Sequence, residues 1–212
     1  MTRANLAPEK LIEIIRGSVE ESFHCGHLVI SDNQGNVINC WGNPDEIIYP
    51  RSSCKMIQAL PLLESGSADY YNLNEKHLAL ACASHSGGKI HLEVAKDWLQ
   101  KLDLEEKYLL CGSHKPDDRA ESKYLVEKGL EPTQLHNNCS GKHLGFLTIS
   151  RFMERRKGKE AKYIDINHPV QEMVKRAFEE MTGCLDPDFA LDGCSAPNFT
   201  CTLRELARSM AN

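Results

Sequence analysis

The order of its hydrophobic patterns constrains this chain more than any other feature. Short apolar runs punctuated by turn residues fill the first fifty positions, and helical spacing dominates afterwards. Gly26-His27-Leu28-Val29-Ile30 and Val37-Ile38-Asn39-Cys40-Trp41 flank the segment Ser31-Asp32-Asn33-Gln34-Gly35-Asn36. Two such runs around a Gly- and Asn-rich turn predict a β-hairpin, and Leu11–Val19 before them alternates weakly. After Pro50 the apolar positions Met56, Ile57, Leu60 and Leu63 fall at helical spacing, and Pro50 with Ser52 and Ser53 forms an N-terminal signal. Further helices are expected over Glu75–Ala83, Ile90–Leu102, Leu144–Phe152, His168–Met181 and Thr202–Ala211. Ser113–Asp118 and the Gly- and Pro-rich stretch Asp186–Asn198 read as loops. Strands first and helices after them suggest a mixed α/β or α+β body with a helical lobe.

The 212 residues are 41% hydrophobic and 26% charged, enough apolar material for a real core. A net charge of -5 argues against nucleic acid or an anionic membrane as partner, because both require clustered positive charge. The one basic run, Arg151–Lys162, reads as the solvated face of an exposed helix. No apolar stretch approaches the roughly 18 residues of a membrane span, and the N-terminus lacks the apolar core of a secretion signal. A cytoplasmic protein is expected. Its nine cysteines, odd in number and unpaired in spacing, should be reduced thiols, a few of them available to a metal.

Four segments concentrate chemistry. In Arg51-Ser52-Ser53-Cys54-Lys55, Ser52 and Lys55 stand three apart and share a helical face. A serine hydroxyl needs a base to become a nucleophile, and a lysine becomes one only when its amine is held neutral. The pair is weak evidence alone. With 15 Ser and 15 Lys in the chain, chance supplies about one such spacing, and two occur, the other being Ser86 and Lys89. Ala81-Cys82-Ala83-Ser84-His85-Ser86-Gly87-Gly88 ends a helix with hydroxyls, an imidazole and flexible backbone, a loop able to approach a small ligand or simply a helix-terminating turn. His136-Asn137-Asn138-Cys139-Ser140-Gly141-Lys142-His143 and Asp192-Gly193-Cys194-Ser195-Ala196-Pro197-Asn198 are dense in polar and ligating groups, but neither contains the paired cysteine spacing that announces zinc. Cys25 between His24 and His27 reads as structural.

Taken together and in this order, the four segments closely resemble the asparaginase II family, the class 3 L-asparaginases; the string His136–His143 is its most specific part. The resemblance runs from the hairpin to the end of the chain. It implies a fold like that of serine β-lactamases and penicillin-binding proteins, a mixed sheet packed with helices, commonly as a homodimer, with residues 1–212 forming one domain. It implies that Ser52 and Lys55 form one catalytic tandem and that Ser84 belongs to a second. Cys139, Lys142 and Cys194 would match the ligands of a zinc ion, with Asp192 beside them. Arg51 is a candidate for the substrate carboxylate on charge grounds, and His85 and Asp192 complete the expected substrate-binding set. Family members are longer, and the lysine partnering the second serine lies beyond residue 212, so a chain cut short at its C-terminus is expected. The implied reaction is hydrolysis of L-asparagine to aspartate and ammonia through an acyl-enzyme on Ser52, with Lys55 as base. A glutaminase, a β-lactamase-like acyl hydrolase, and a non-catalytic zinc-binding remnant are the alternatives.

Overall fold

A computed structural model describes residues 7–157 and 162–212, without the side chains of residues 155–157. Residues 158–161 of the basic run Arg151–Lys162, like residues 1–6, lie outside it. Along the chain come strands β1 (Glu9–Arg16), β2 (Val19–Gly26), β3 (Leu28–Ser31), β4 (Val37–Trp41) and β5 (Ile47–Ile48). A 3-10 turn over Arg51–Cys54 leads into helix α1 (Lys55–Glu64), followed by α2 (Ser67–Tyr70), α3 (Glu75–Cys82), α4 (Lys89–Leu102), α5 (Arg119–Lys128), α6 (Ser140–Lys157) and α7 (Pro169–Thr182). Strands β6 (Phe189–Leu191), β7 (Pro197–Phe199) and β8 (Cys201–Thr202) precede helix α8 (Leu203–Ala211).

The described strands pair two by two, all antiparallel: β1 with β2, β3 with β4, β5 with β8, and β6 with β7. The expected α+β character is there, and so is the hairpin over residues 28–41. The stretch Asp186–Asn198 is not all loop, since it carries β6 and most of β7. Three-residue strands are too short to show a period. Helix α5 was not foreseen. Only Leu125 on it is buried, so its signals are the Asp118 side chain accepting from Glu121 N–H at one end and left-handed Gly129 at the other.

The chain forms two compact units. The first comprises residues 1–50, 179–188 and 200–212. Its hairpin β1–β2 leaves Ile12, Ile15, Val19 and Phe23 exposed, and α8 starts with Thr202 and Glu205 capping each other's backbone.

The second unit, residues 51–178 and 189–199, holds every segment singled out for chemistry. Its axis is α6. Residues 139–150 are buried on all sides, the signature of a central helix, and α1, α3 and α4 pack against it. Trp98 and Phe146 fill the core, and the Trp98 indole N–H donates to Thr148 Oγ1 at 2.9 Å. Gly141 permits the α3–α6 approach: a Cβ there would stand 2.0 Å from the carbonyl oxygen of Leu80. This packing brings the starts of α1 and α6 and the end of α3 together.

Candidate active site

Arg51 adopts φ +51°, a left-handed conformation costing a non-glycine residue of order 1 kcal/mol. It turns the chain abruptly into the 3-10 turn, leaving Ser52 exposed while Lys55, one turn on, is buried at 1% exposure. The Lys55 ammonium donates to Ala83 O and Ser84 Oγ, each at 2.8 Å, and to Asn138 O at 3.3 Å. The Ser84 hydroxyl donates in turn to Ser52 Oγ at 2.7 Å. Ser52, Ser84 and Lys55 are therefore brought together, with an order the sequence did not suggest. Ser84 stands between Ser52 and the amine. Burial pushes the Lys55 amine below its ordinary 10.5, outweighing the opposing pull of the Cys139 sulfur.

His85 is brought close but faces inward. Its Nδ1 accepts from Gly87 N–H at 3.1 Å. Its Nε2 lies 2.8 Å from Ser140 Oγ, and because that hydroxyl donates to Leu135 O, the imidazole must donate. Both nitrogens are thus filled by the neutral ring, which burial and the neighbouring His91 hold down to about 4. The imidazole fastens the Ser84 loop to the start of α6. Gly87, at φ +72°, allows that loop to pass over the backbone of His136, where a Cβ would sit 2.9 Å from the carbonyl oxygen. Asn137 braces the other side, donating to Cys111 O and Gly112 O and accepting from Cys139 N–H. It is a positioning residue the sequence reading did not separate from its neighbours.

Arg51 donates to Asp192 Oδ1 at 2.7 Å, so these two expected substrate contacts neutralise each other. Cys139, Lys142 and Cys194 also meet, buried at 5%, 4% and 5% exposure, and Lys142 donates to Cys194 Sγ at 3.1 Å. The neighbouring Cys194 and burial drive the Cys139 thiol up, while Cys139, His143 and Lys142 drive Cys194 down toward thiolate. His143 is anchored through Nδ1 by the Tyr163 hydroxyl at 3.0 Å. Among the described residues, no group of three or more His, Cys, Asp or Glu side chains gathers in a metal-holding arrangement. Two sulfurs and an amine, however, are a suitable zinc donor set by chemistry. Tetrahedral bonds of about 2.3 Å to sulfur and 2.0–2.1 Å to nitrogen separate such donors by about 3.5 Å, so the Lys142–Cys194 pair would open slightly around an ion.

An exposed pair of hydroxyls backed by a buried amine whose burial favours its neutral form is equipped to activate an alcohol for attack. The model of the L-asparaginase II family matches residues 12–212, and the chain belongs to that family. Membership supports asparaginase-type amidohydrolase activity on an amino-acid substrate such as asparagine. No curated protein matches the chain. No described helix is long and apolar enough to cross a membrane.

Proposed function

We propose that this protein hydrolyses the side-chain amide of L-asparagine through an acyl-enzyme on Ser52, using Ser84 and Lys55 as a proton relay within a β-lactamase-like fold. The observation carrying this reading is the continuous chain Lys55 Nζ, Ser84 Oγ, Ser52 Oγ, with steps of 2.8 and 2.7 Å. When Lys55 is neutral the two hydroxyl bonds reverse direction: its N–H groups still donate to Ala83 O and Asn138 O, and its lone pair accepts from Ser84 O–H. Ser84 then accepts from Ser52 O–H. As Ser52 Oγ bonds to the amide carbon, its proton passes to Ser84 and the Ser84 proton passes to Lys55. The resulting ammonium returns a proton along the same path to the departing nitrogen, which leaves as ammonia. Water attacks the β-aspartyl ester, gives its proton to the relay, and frees aspartate as Ser52 is reprotonated. Backbone N–H groups at the start of α1 would stabilise the oxyanion, at about 3–4 kcal/mol per donor.

Substrate charge fits the same reading. An α-carboxylate exchanged onto Arg51 and an α-ammonium onto Asp192 would replace the ion pair those residues make with each other. Cys139, Lys142 and Cys194 would hold a zinc ion. Bound there, zinc would supply positive charge and fix the Asp192–Ala196 turn. A homodimer belongs to the same reading and is checked by sedimentation.

The test is ammonia release from asparagine and glutamine, beside ring opening of a β-lactam followed by its loss of absorbance. Asparagine is expected to be turned over fastest, Ser52→Ala to abolish turnover, and Ser84→Ala to lower kcat by about 10²–10⁴-fold. A Ser52→Ala protein that still releases ammonia at the normal rate removes the acyl-enzyme from the scheme.

A further inference from the structure

The contact between Lys142 and Cys194 can do something that metal binding and hydrolysis do not require. Lys142 lies in the first turn of α6, inside the stretch buried on all sides. Cys194 sits in a turn clipped shut by Asp192 N–H to Ala196 O at 2.9 Å and Ser195 N–H to Asp192 O at 2.8 Å, with Ser195 in the left-handed region at φ +68°. Nζ stands 3.1 Å from Sγ, and the two residues are only 4% and 5% exposed.

We propose that Lys142 and Cys194 form an oxidative modification site, in which dioxygen joins the lysine nitrogen to the cysteine sulfur through one bridging oxygen. The step balances. The amine gives up one hydrogen and the thiol gives up its own, while nitrogen and sulfur each lose two electrons. Dioxygen takes all four; one of its atoms stays as the N–O–S bridge and the other leaves as water with the two hydrogens. The product ties the Asp192–Ala196 turn covalently to α6. It consumes two donors of the proposed zinc set at once, yet it depends on the Lys142–Cys194 contact alone and stands whether or not zinc binds.

The neighbouring Cys139 supplies the competing chemistry, a disulfide to Cys194, and the two products are separable by mass and by protease. The experiment takes the whole chain, stripped of metal by chelation, held in air or without oxygen, then digested with trypsin under non-reducing conditions. In the aerobic sample the peptides containing Lys142 and Cys194 are expected to be joined, with a mass equal to their sum plus one oxygen less two hydrogens. Cleavage after Lys142 should be lost, because its amine is no longer free. Strong reductant should restore both the cleavage and the Cys194 thiol. Cys139→Ser should keep the link, and Lys142→Arg and Cys194→Ser should lose it. Full cleavage after Lys142 in aerobic wild type, a Cys139–Cys194 disulfide, or Cys194 oxidised without Lys142 would each overturn the proposal. The wild-type comparison of air against its absence decides without a variant. Metal content, measured on the same samples, reads the zinc assignment independently.

Discussion

Acid should loosen this protein through His85, by an amount that follows from its hydrogen bonds. Nδ1 accepts from Gly87 N–H and Nε2–H donates to Ser140, so a second ring proton would point at a donor. The native ring therefore resists protonation down to about 4, while the unfolded chain takes the proton at the ordinary 6.5. A histidine with a depressed native value contributes stability that is complete above 6.5 and is lost as pH falls through that window. At about 1.4 kcal/mol per pH unit, the loss reaches about 3 kcal/mol once pH drops to the native value. His143 and His168, also lowered by burial, act in the same direction. The contribution of His85 is thus read as a difference: urea unfolding at pH 7, 5.5 and 4.5, for wild type and for His85→Gln, whose amide can still donate to Ser140. The variant should be less stable at pH 7 but should lose less on acidification, the gap closing by about 2.4 kcal/mol by pH 4.5. Parallel pH curves for the two proteins would mean that His85 is not held neutral by this clamp.

Three further outcomes are expected. Gly141→Ala should destabilise by about 1–3 kcal/mol, because its Cβ would strike the Leu80 carbonyl, whereas Gly145→Ala, whose nearest neighbour would be Leu62 Cδ2 at 3.8 Å, should be tolerated; chemical denaturation of the pair checks this. Because Lys55 must be neutral to accept a proton and burial lowers it, kcat/KM for asparagine should fall as pH drops through a midpoint below the ordinary 10.5; a profile without that limb would dismiss Lys55 as the base. Protein purified without chelator should carry zinc by elemental analysis, and Cys139→Ser or Cys194→Ser should lose it; unchanged metal content in those variants would exclude these ligands.

Local patterns carried much of the fold. Helix α1 was visible in Met56, Ile57 and Leu60, α4 in its Leu92–Trp98 face, and the hairpin β3–β4 in its turn residues. Helix α5 escaped because it buries one residue, and β1–β2 read faintly because both faces are exposed and no alternation is imposed. At the site, Ser52 and Lys55 were legible only through the four-segment resemblance, since their spacing is no rarer than chance. That Ser84, 29 positions from Lys55, is its direct partner is a product of tertiary packing between α1 and the end of α3. The inward turn of His85 was equally hidden, since whether an imidazole faces substrate or scaffold depends on what the start of α6 offers it.

The Lys55 amine is gripped by carbonyls from two loops, Ala83 after α3 and Asn138 before α6. It can be both buried and satisfied only when those loops and α1 have all converged. A half-assembled chain would leave the amine in water, charged and useless as a base. The protein therefore has a built-in proof of assembly: no isolated fragment of it should be even slightly active, and catalysis should vanish on unfolding no later than the first of these three segments lets go.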